Sequence, residues 1–246
     1  MNDYVQDDET IEDLQLNHLL LLQKKDGFRY GMDSVLLSHF ADIKKNDDVA
    51  DFGTGSCVIP LLLYGRGKGK QYTGIEIQKE IADMARRTVK INHLEKIIHI
   101  IQGDASMASE WISSCSLDAV ICNPPYGIRG KVINSPNSSI AISRSQGEEK
   151  LKGIFKSAFQ CLKGKGRIYV VYPASQMLYM MKELQSCHLE PKRFRLVYPF
   201  ADKPANLVLI EAIKDAKPML HPMSPLVIYD ENQNLTNELK SIYHIK

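Results

Sequence analysis

Asn123-Pro124-Pro125-Tyr126 is the part of this sequence whose residue types and spacing point most directly to chemistry. Two successive prolines fix φ and remove two backbone donors, which stiffens the turn and leaves its carbonyls free to point into a cleft. The Asn123 side-chain oxygen and the Pro124 carbonyl then make a pair of acceptors, and an exocyclic NH₂ group is what such a pair suits. Drawing both N–H groups into acceptors pulls the nitrogen lone pair out of conjugation and aims it at an electrophile such as a sulfonium methyl. The catalysis would be positioning and electrostatics without a covalent intermediate. Pro125 adds stiffness, and Tyr126 offers a ring on which a flat base stacks. The bland alternative is a proline-stiffened turn followed by a core tyrosine.

A second constellation precedes it. Val49-Ala50-Asp51-Phe52-Gly53-Thr54-Gly55-Ser56 reads as a strand ending in a glycine-rich turn that enters a helix, so a ligand can approach the backbone at Gly53 and Gly55. A dinucleotide fingerprint would need a third small residue where Val58 stands, whereas the spacing D-x-G-x-G-x-G matches through Gly55 and has Cys57 in its last place. Glu76, at the end of the next strand, suits the two hydroxyls of a ribose. Asp104, after the third, is placed to accept from an adenine amino group. Singly each has a dull explanation, a turn or a helix cap; in order at successive strand ends they describe a nucleoside site.

The positively charged candidates are less specific. Gly127–Gly147 holds Arg129, Lys131 and Arg144 and no acidic residue. It reads either as a basic lid touching phosphates around an extruded base or as a solvated loop. Lys192, Arg193 and Arg195 read either as part of an RNA face or as ordinary alternation on an edge strand.

The elements that must hold these residues follow an alternating pattern. Strands are expected near Val49–Gly53, Tyr72–Ile77, Ile97–Gly103, Leu117–Asn123, Arg167–Tyr172, Arg193–Tyr198 and Asn206–Ile213. Helices are expected over Ser56–Tyr64, Lys79–Asn92, Glu149–Leu162 and Ser175–Ser186, with another starting at Asp33 or Ser34. That is an α/β fold with a seven-stranded, mostly parallel sheet and helices on both faces. The short Pro199–Ala205 connection makes the last two strands an antiparallel hairpin. Leu226–Tyr229 is a further small strand candidate.

Composition sets outer bounds. The 246 residues are 44% hydrophobic and 24% charged, ordinary for one globular domain. No run is long and apolar enough for a membrane span, and the acidic start is unlike a signal peptide, so a cytoplasmic protein is expected. Five scattered cysteines without a C-x-x-C pair, and seven histidines without an H-E-x-x-H, indicate neither a disulfide framework nor a metal. Six carboxylates, Asp3 to Asp13, precede the first basic residue, Lys24; the remainder carries +8, 31 basic against 23 acidic residues. The expected organisation is an acidic, flexible stretch over 1–13, one domain over 14–230 and a polar tail over 231–246.

Asp51-Phe52-Gly53-Thr54-Gly55, Gly74-Ile75-Glu76-Ile77-Gln78, Gly103-Asp104 and Asn123-Pro124-Pro125-Tyr126 resemble motifs I to IV of the class I amino-methyltransferases, with a Rossmann-like fold. Phe28–Ser38 looks like the motif that precedes the first strand and closes over the cofactor in one branch, and Pro191–Pro199 with Ala205–Ala212 looks like that branch's terminal hairpin. The branch is the tRNA1(Val) adenine N6-methyltransferase-like family, and the resemblance spans about residues 14 to 230. It implies S-adenosyl-L-methionine as cofactor and S-adenosyl-L-homocysteine as product. It also implies cofactor contacts from Met32, Asp33, Asp51, Gly53, Thr54, Gly55, Glu76, Ile77, Asp104, Ala105 and Asn123, and a tRNA partner, modified at adenine 37 beside the anticodon. Glutamine N5-methyltransferases share N-P-P-Y but resemble one another in a helical domain for which the chain before Asp51 is too short. Guanine N2-methyltransferases of ribosomal RNA more often carry phenylalanine in the place of Tyr126. An idle RNA-binding module is the reading outside enzymes.

Overall fold

The computed structural model describes residues 4–26, 30–124 and 139–244, the side chains of 139–148 excepted. Seven strands stand where the alternation places them: β3 (Asp48–Phe52), β4 (Gln71–Glu76), β5 (Ile98–Gln102), β6 (Leu117–Cys122), β7 (Leu162–Pro173), β8 (Leu189–Tyr198) and β9 (Leu207–Lys214). Two short strands, β10 (His221–Pro222) and β11 (Leu226–Val227), pair with β8 and bring the sheet to nine. Its order is β10-β8-β9-β7-β6-β3-β4-β5, with β3 to β7 parallel and β9 antiparallel between β7 and β8.

Period-two alternation sorts the strands' side chains into two cores. Val49, Ile121, Tyr169 and Val171 meet α1 (Met32–Phe40), α2 (Val58–Gly65) and α3 (Lys79–Ile91), whereas Phe52, Val120, Cys122, Ile168 and Val170 meet α4 (Ser139–Cys161) and α5 (Met177–Ser186). The register pairs Phe52 with both Ile75 and Cys122, and Glu76 with Gln102. Gly53, Glu76, Gly103 and Asn123 therefore end their strands in one row at the carboxyl edge of the sheet, the edge on which open α/β sheets bind ligands.

Both ends of the chain depart from expectation. The acidic start contains β1 (Glu9–Asp13), which pairs antiparallel with β2 (Leu20–Lys24). Glu9 is 3% exposed and meets the Arg87 guanidinium through two hydrogen bonds of 2.5 and 2.7 Å. The free edge of β2 lies on α3, where Asn92 accepts from Leu20 N at 2.9 Å and donates to its carbonyl at 2.7 Å, and Thr88 Oγ1 accepts from Leu22 N. Helix side chains thus satisfy a strand edge that would otherwise stay open. At the other end the expected polar tail contains α6 (Asn237–Ile242), capped by Thr236, whose Leu239 and Ile242 are buried in the first core. Arg87→Ala would take the guanidinium from the buried Glu9 carboxylate and leave it the Lys24 ammonium at 3.5 Å and the Gln6 N–H at 3.0 Å. Its expected cost is roughly 3 kcal/mol, read as a fall of several degrees in the thermal unfolding midpoint. An unchanged midpoint would show that the hairpin does not depend on this pair.

Candidate active site

The glycine-rich turn after β3 hangs from the neighbouring strand, since Gly53 N and Thr54 N both donate to the Ile75 carbonyl at 2.9 Å. Gly53 and Gly55 have φ of +81° and +55°, and a Cβ on either would meet no atom within 4 Å. The conformation calls for glycine, and the space above it is open to a ligand. Glu76 is 6% exposed and braces the turn: one carboxylate oxygen accepts from Gly55 N at 3.1 Å, the other from Gln78 N at 2.9 Å. Ile77 beside it is 46% exposed, an apolar side chain facing outward next to the row. Asp104 Oδ1 accepts from Ser106 N at 3.0 Å and caps the short turn that begins with the buried Ala105.

Under the turn, Asp51 is 2% exposed, and neither of its oxygens nor the Thr54 hydroxyl has a hydrogen-bond partner of normal geometry. Burial pushes the Asp51 carboxyl up to about 7; the nearby Thr54 hydroxyl opposes the rise and the Glu76 charge adds to it. A buried carboxylate with no donor but the Thr54 hydroxyl is costly, and a ligand bound above the turn is one way to offset that cost.

Cys57, in the last place of the glycine pattern, is fully buried at φ +75° and belongs to the first core. Its thiol, pushed well up by burial, packs as a small apolar group rather than standing in the open space above Gly53 and Gly55. Cys57→Gly would relieve the left-handed strain and lose the buried side chain, terms of about 1 kcal/mol each and opposite in sign. The expected result is a melting temperature within a few degrees of the parent and unchanged cofactor affinity by calorimetry. A tenfold change in affinity would place the thiol in the site.

Asn123 leaves β6 beside this turn and donates from Nδ2 to the Ser34 hydroxyl at 3.2 Å. Ser34 sits in the first turn of α1 with Met32 and Asp33; Asp33 Oδ1 accepts from Ser34 N at 2.9 Å. The helix starts after Gly31 rather than at an Asp33 or Ser34 cap. Pro124 is buried next to Asn123. Pro125, Tyr126, Arg129 and Lys131 lie outside the described residues, as does the side chain of Arg144. The row therefore brings together Met32, Asp33, Asp51, Gly53, Thr54, Gly55, Glu76, Ile77, Asp104, Ala105, Asn123 and Pro124, elements distant in sequence meeting at one sheet edge.

The basic run on β8 has partners within the fold. Arg193 ion-pairs with Glu211 at 2.6 Å and lies over the Phe40 ring at 4.7 Å. Arg195 donates to the Ser224 carbonyl at 2.9 Å and to Glu238 at 2.7 Å, and Lys192 donates to the Lys217 carbonyl at 3.1 Å. These side chains fasten β8 to α1, α6 and the 217–225 segment. Nor is β8 an edge, since β10 and β11 cover it. Sequence reasoning missed Ser34, which it took only as a helix start; at Gly74, quoted within the second motif, a Cβ would come within 2.8 Å of the Thr54 and Ile100 side chains. A shallow cleft of about 300 Å³ between Trp111 and the amino ends of β3, β4 and β6 shares no residue with the row.

Residues 31–193 match the family model described as the methyltransferase small domain. The chain belongs to that family. A relative from Parabacteroides distasonis named tRNA1(Val) (adenine(37)-N6)-methyltransferase is 24% identical over 231 residues, covering 93% of this chain and 94% of its own. One of the same name from Actinobacillus succinogenes is 28% identical, covering 85% and 86%. Among solved structures, a predicted O-methyltransferase from Agrobacterium tumefaciens superposes with a TM-score of 0.69 at 19% identity, over 87% of this chain and 96% of that one. P. horikoshii TYW2, in complex with MeSAdo, superposes with a TM-score of 0.59 at 13% identity, over 86% and 73%.

The methyltransferase's cofactor is S-adenosylmethionine, and the residues fit it. The orphaned Asp51 carboxylate and Thr54 hydroxyl lie beneath a glycine turn with open space above, and Glu76, Ile77 and Asp104 border that space. Among the described residues no group of three or more His, Cys, Asp or Glu side chains could hold a metal, and no helix is long and apolar enough to cross a membrane.

Proposed function

We propose that this methyltransferase modifies the exocyclic N6 of an adenine in tRNA, the adenine 37 next to the anticodon, in the cytoplasm. One observation carries the reading: Asn123 and Pro124 end β6 in the same row as the glycine turn, Glu76 and Asp104. This arrangement supports a reading in which two acceptors for an NH₂ group lie beside the cofactor. The relatives named for adenine-37 N6 methylation, at 22% to 28% identity, support the choice of base and RNA.

Asp51, Gly53, Thr54, Gly55, Glu76, Ile77, Asp104 and Ala105, with Met32 and Asp33 from α1, would hold the cofactor. Bound there, S-adenosylmethionine supplies an electrophilic methyl carbon on a sulfonium. The Asn123 side-chain oxygen and the Pro124 carbonyl accept the two N–H groups of the adenine amine and turn its lone pair out of ring conjugation. Pro124 cannot donate, so the amine meets acceptors only. The amine keeps both protons until its new N–C bond exists and then releases one, so no strong base is required of the site. Orientation against fixed dipoles provides the acceleration.

The test is nucleoside mass spectrometry of small RNA from cells lacking the protein, incubated with the purified chain and deuterium-methyl S-adenosylmethionine. Labelled N6-methyladenosine at position 37 of a tRNA is the expected product. Label in guanosine, label in a protein glutamine, or no label with cofactor bound would each replace the proposal, the last with an idle RNA-binding module.

A further inference from the structure

We infer that Ser34 is a positioning residue for the transfer, acting through Asn123. The inference rests on the amine-methylation reading above and deepens it. The Asn123 amide carries an acceptor and a donor at opposite ends, and the amine substrate can use only the acceptor. Whatever receives Nδ2 decides where the oxygen faces. In this structure the receiver is the Ser34 hydroxyl, 3.2 Å away and 4% exposed, contributed by a helix 89 residues earlier in the chain.

A serine hydroxyl can accept or donate, so it does not by itself forbid the reversed amide. The substrate removes that ambiguity. Once an amine N–H donates into the Asn123 oxygen, the Nδ2 end must donate, and Ser34 is left as its acceptor. The chain of bonds from amine to Asn123 oxygen, and from Asn123 Nδ2 to Ser34 Oγ, then polarises in one direction and makes the oxygen a better acceptor. With alanine at 34, Nδ2 would lose this acceptor, and the bond that ties the amide's orientation to α1 would be gone.

The hydroxyl can do this because its platform is fixed. Ser34 N donates to Asp33 Oδ1 within the first turn of α1. At the far end of that helix the Lys68 ammonium donates to the carbonyls of His39 and Ala41 at 3.2 and 2.7 Å, and Arg66 donates to the Ser38 hydroxyl at 2.5 Å. Leu36 and Leu37 are fully buried in the first core. Rotation of α1 is therefore resisted from both ends, and Ser34 Oγ is presented at a set height over β6.

The experiment is steady-state methylation of tRNA by Ser34→Ala and Ser34→Thr, with cofactor affinity by calorimetry and folding by thermal melting. Loss of one buried hydrogen bond corresponds to a drop in kcat on the order of tenfold. We expect that drop for Ser34→Ala with KM for tRNA and cofactor affinity within about twofold, and Ser34→Thr, which keeps the oxygen, recovering most of kcat. Equal kcat for Ser34→Ala and the parent overturns the inference while the function stands. So does a kcat loss accompanied by a matching loss of cofactor affinity or of fold, or one shared equally by the threonine variant, since each describes a packing role. Absence of transfer by the parent overturns the proposed function, and this inference with it.

Discussion

Asn123→Ala is expected to abolish methyl transfer, by a thousandfold or more in kcat, while cofactor affinity stays within a few-fold. The split follows from geometry. Asn123 supplies one of two acceptors for the amine, and its value is greatest when the nitrogen has given up conjugation and its N–H groups are most acidic. Removal of one preorganised hydrogen-bonding group at such a centre costs on the order of 10²- to 10³-fold. Here the effect should be larger, because the truncation also ends the hydrogen bond to Ser34 and leaves the Pro124 carbonyl as a single acceptor that fixes no plane. The cofactor's contacts, by contrast, come mainly from the glycine turn, Asp51, Glu76 and Asp104, none of which Asn123 supports. Single-turnover rates with saturating deuterium-labelled cofactor, beside calorimetric binding, separate the two quantities. Transfer at the parental rate would remove Asn123 from the mechanism.

Much of this site was legible because its residues sit where strand periodicity stops. Glu76, Asp104 and Asn123 each close an apolar run, Asp51 stands one residue inside the end of its own, and a parallel sheet lines up the ends of neighbouring strands. What stayed hidden depends on contacts far apart in sequence. Ser34 meets Asn123 across 89 positions, and Glu9 meets Arg87 across 78. An acidic run looks the same in sequence whether it is solvated or folded against a guanidinium. Thr88 and Asn92 lie on the stripe that identifies α3 as a helix, yet they act as partners for the edge of β2. Arg193 and Arg195 were equally hard to read: clustered charge leaves a polyanion face and an ordinary strand both open, and their Glu211 and Glu238 partners lie 18 and 43 positions away.

Asp51→Asn should stabilise the cofactor-free protein at pH 8 and weaken cofactor binding at least tenfold, an exchange of function for stability. In the free protein the carboxyl is raised to about 7 from an ordinary 3.8, burial being the chief cause. The sign is the reverse of a salt-bridged carboxylate. The folded state holds its proton up to about pH 7 while the unfolded chain releases it from about pH 4, so stability falls as pH rises through that window and levels off above it. A shift of that size has an upper limit of about 4 kcal/mol, which relaxation around the group reduces to a few. An amide at 51 has no charge to lose, so its melting temperature should equal the parent's near pH 4 and exceed it by several degrees at pH 8. The same substitution removes the anionic acceptor under the glycine turn, whose only nearby donor is the Thr54 hydroxyl, and that is why affinity falls. Melting curves from pH 4 to 8 and calorimetry at pH 8 read the two effects separately. A variant less stable than the parent at every pH would mean that Asp51 already has its donors inside the folded chain. The site would then need no cofactor to complete it.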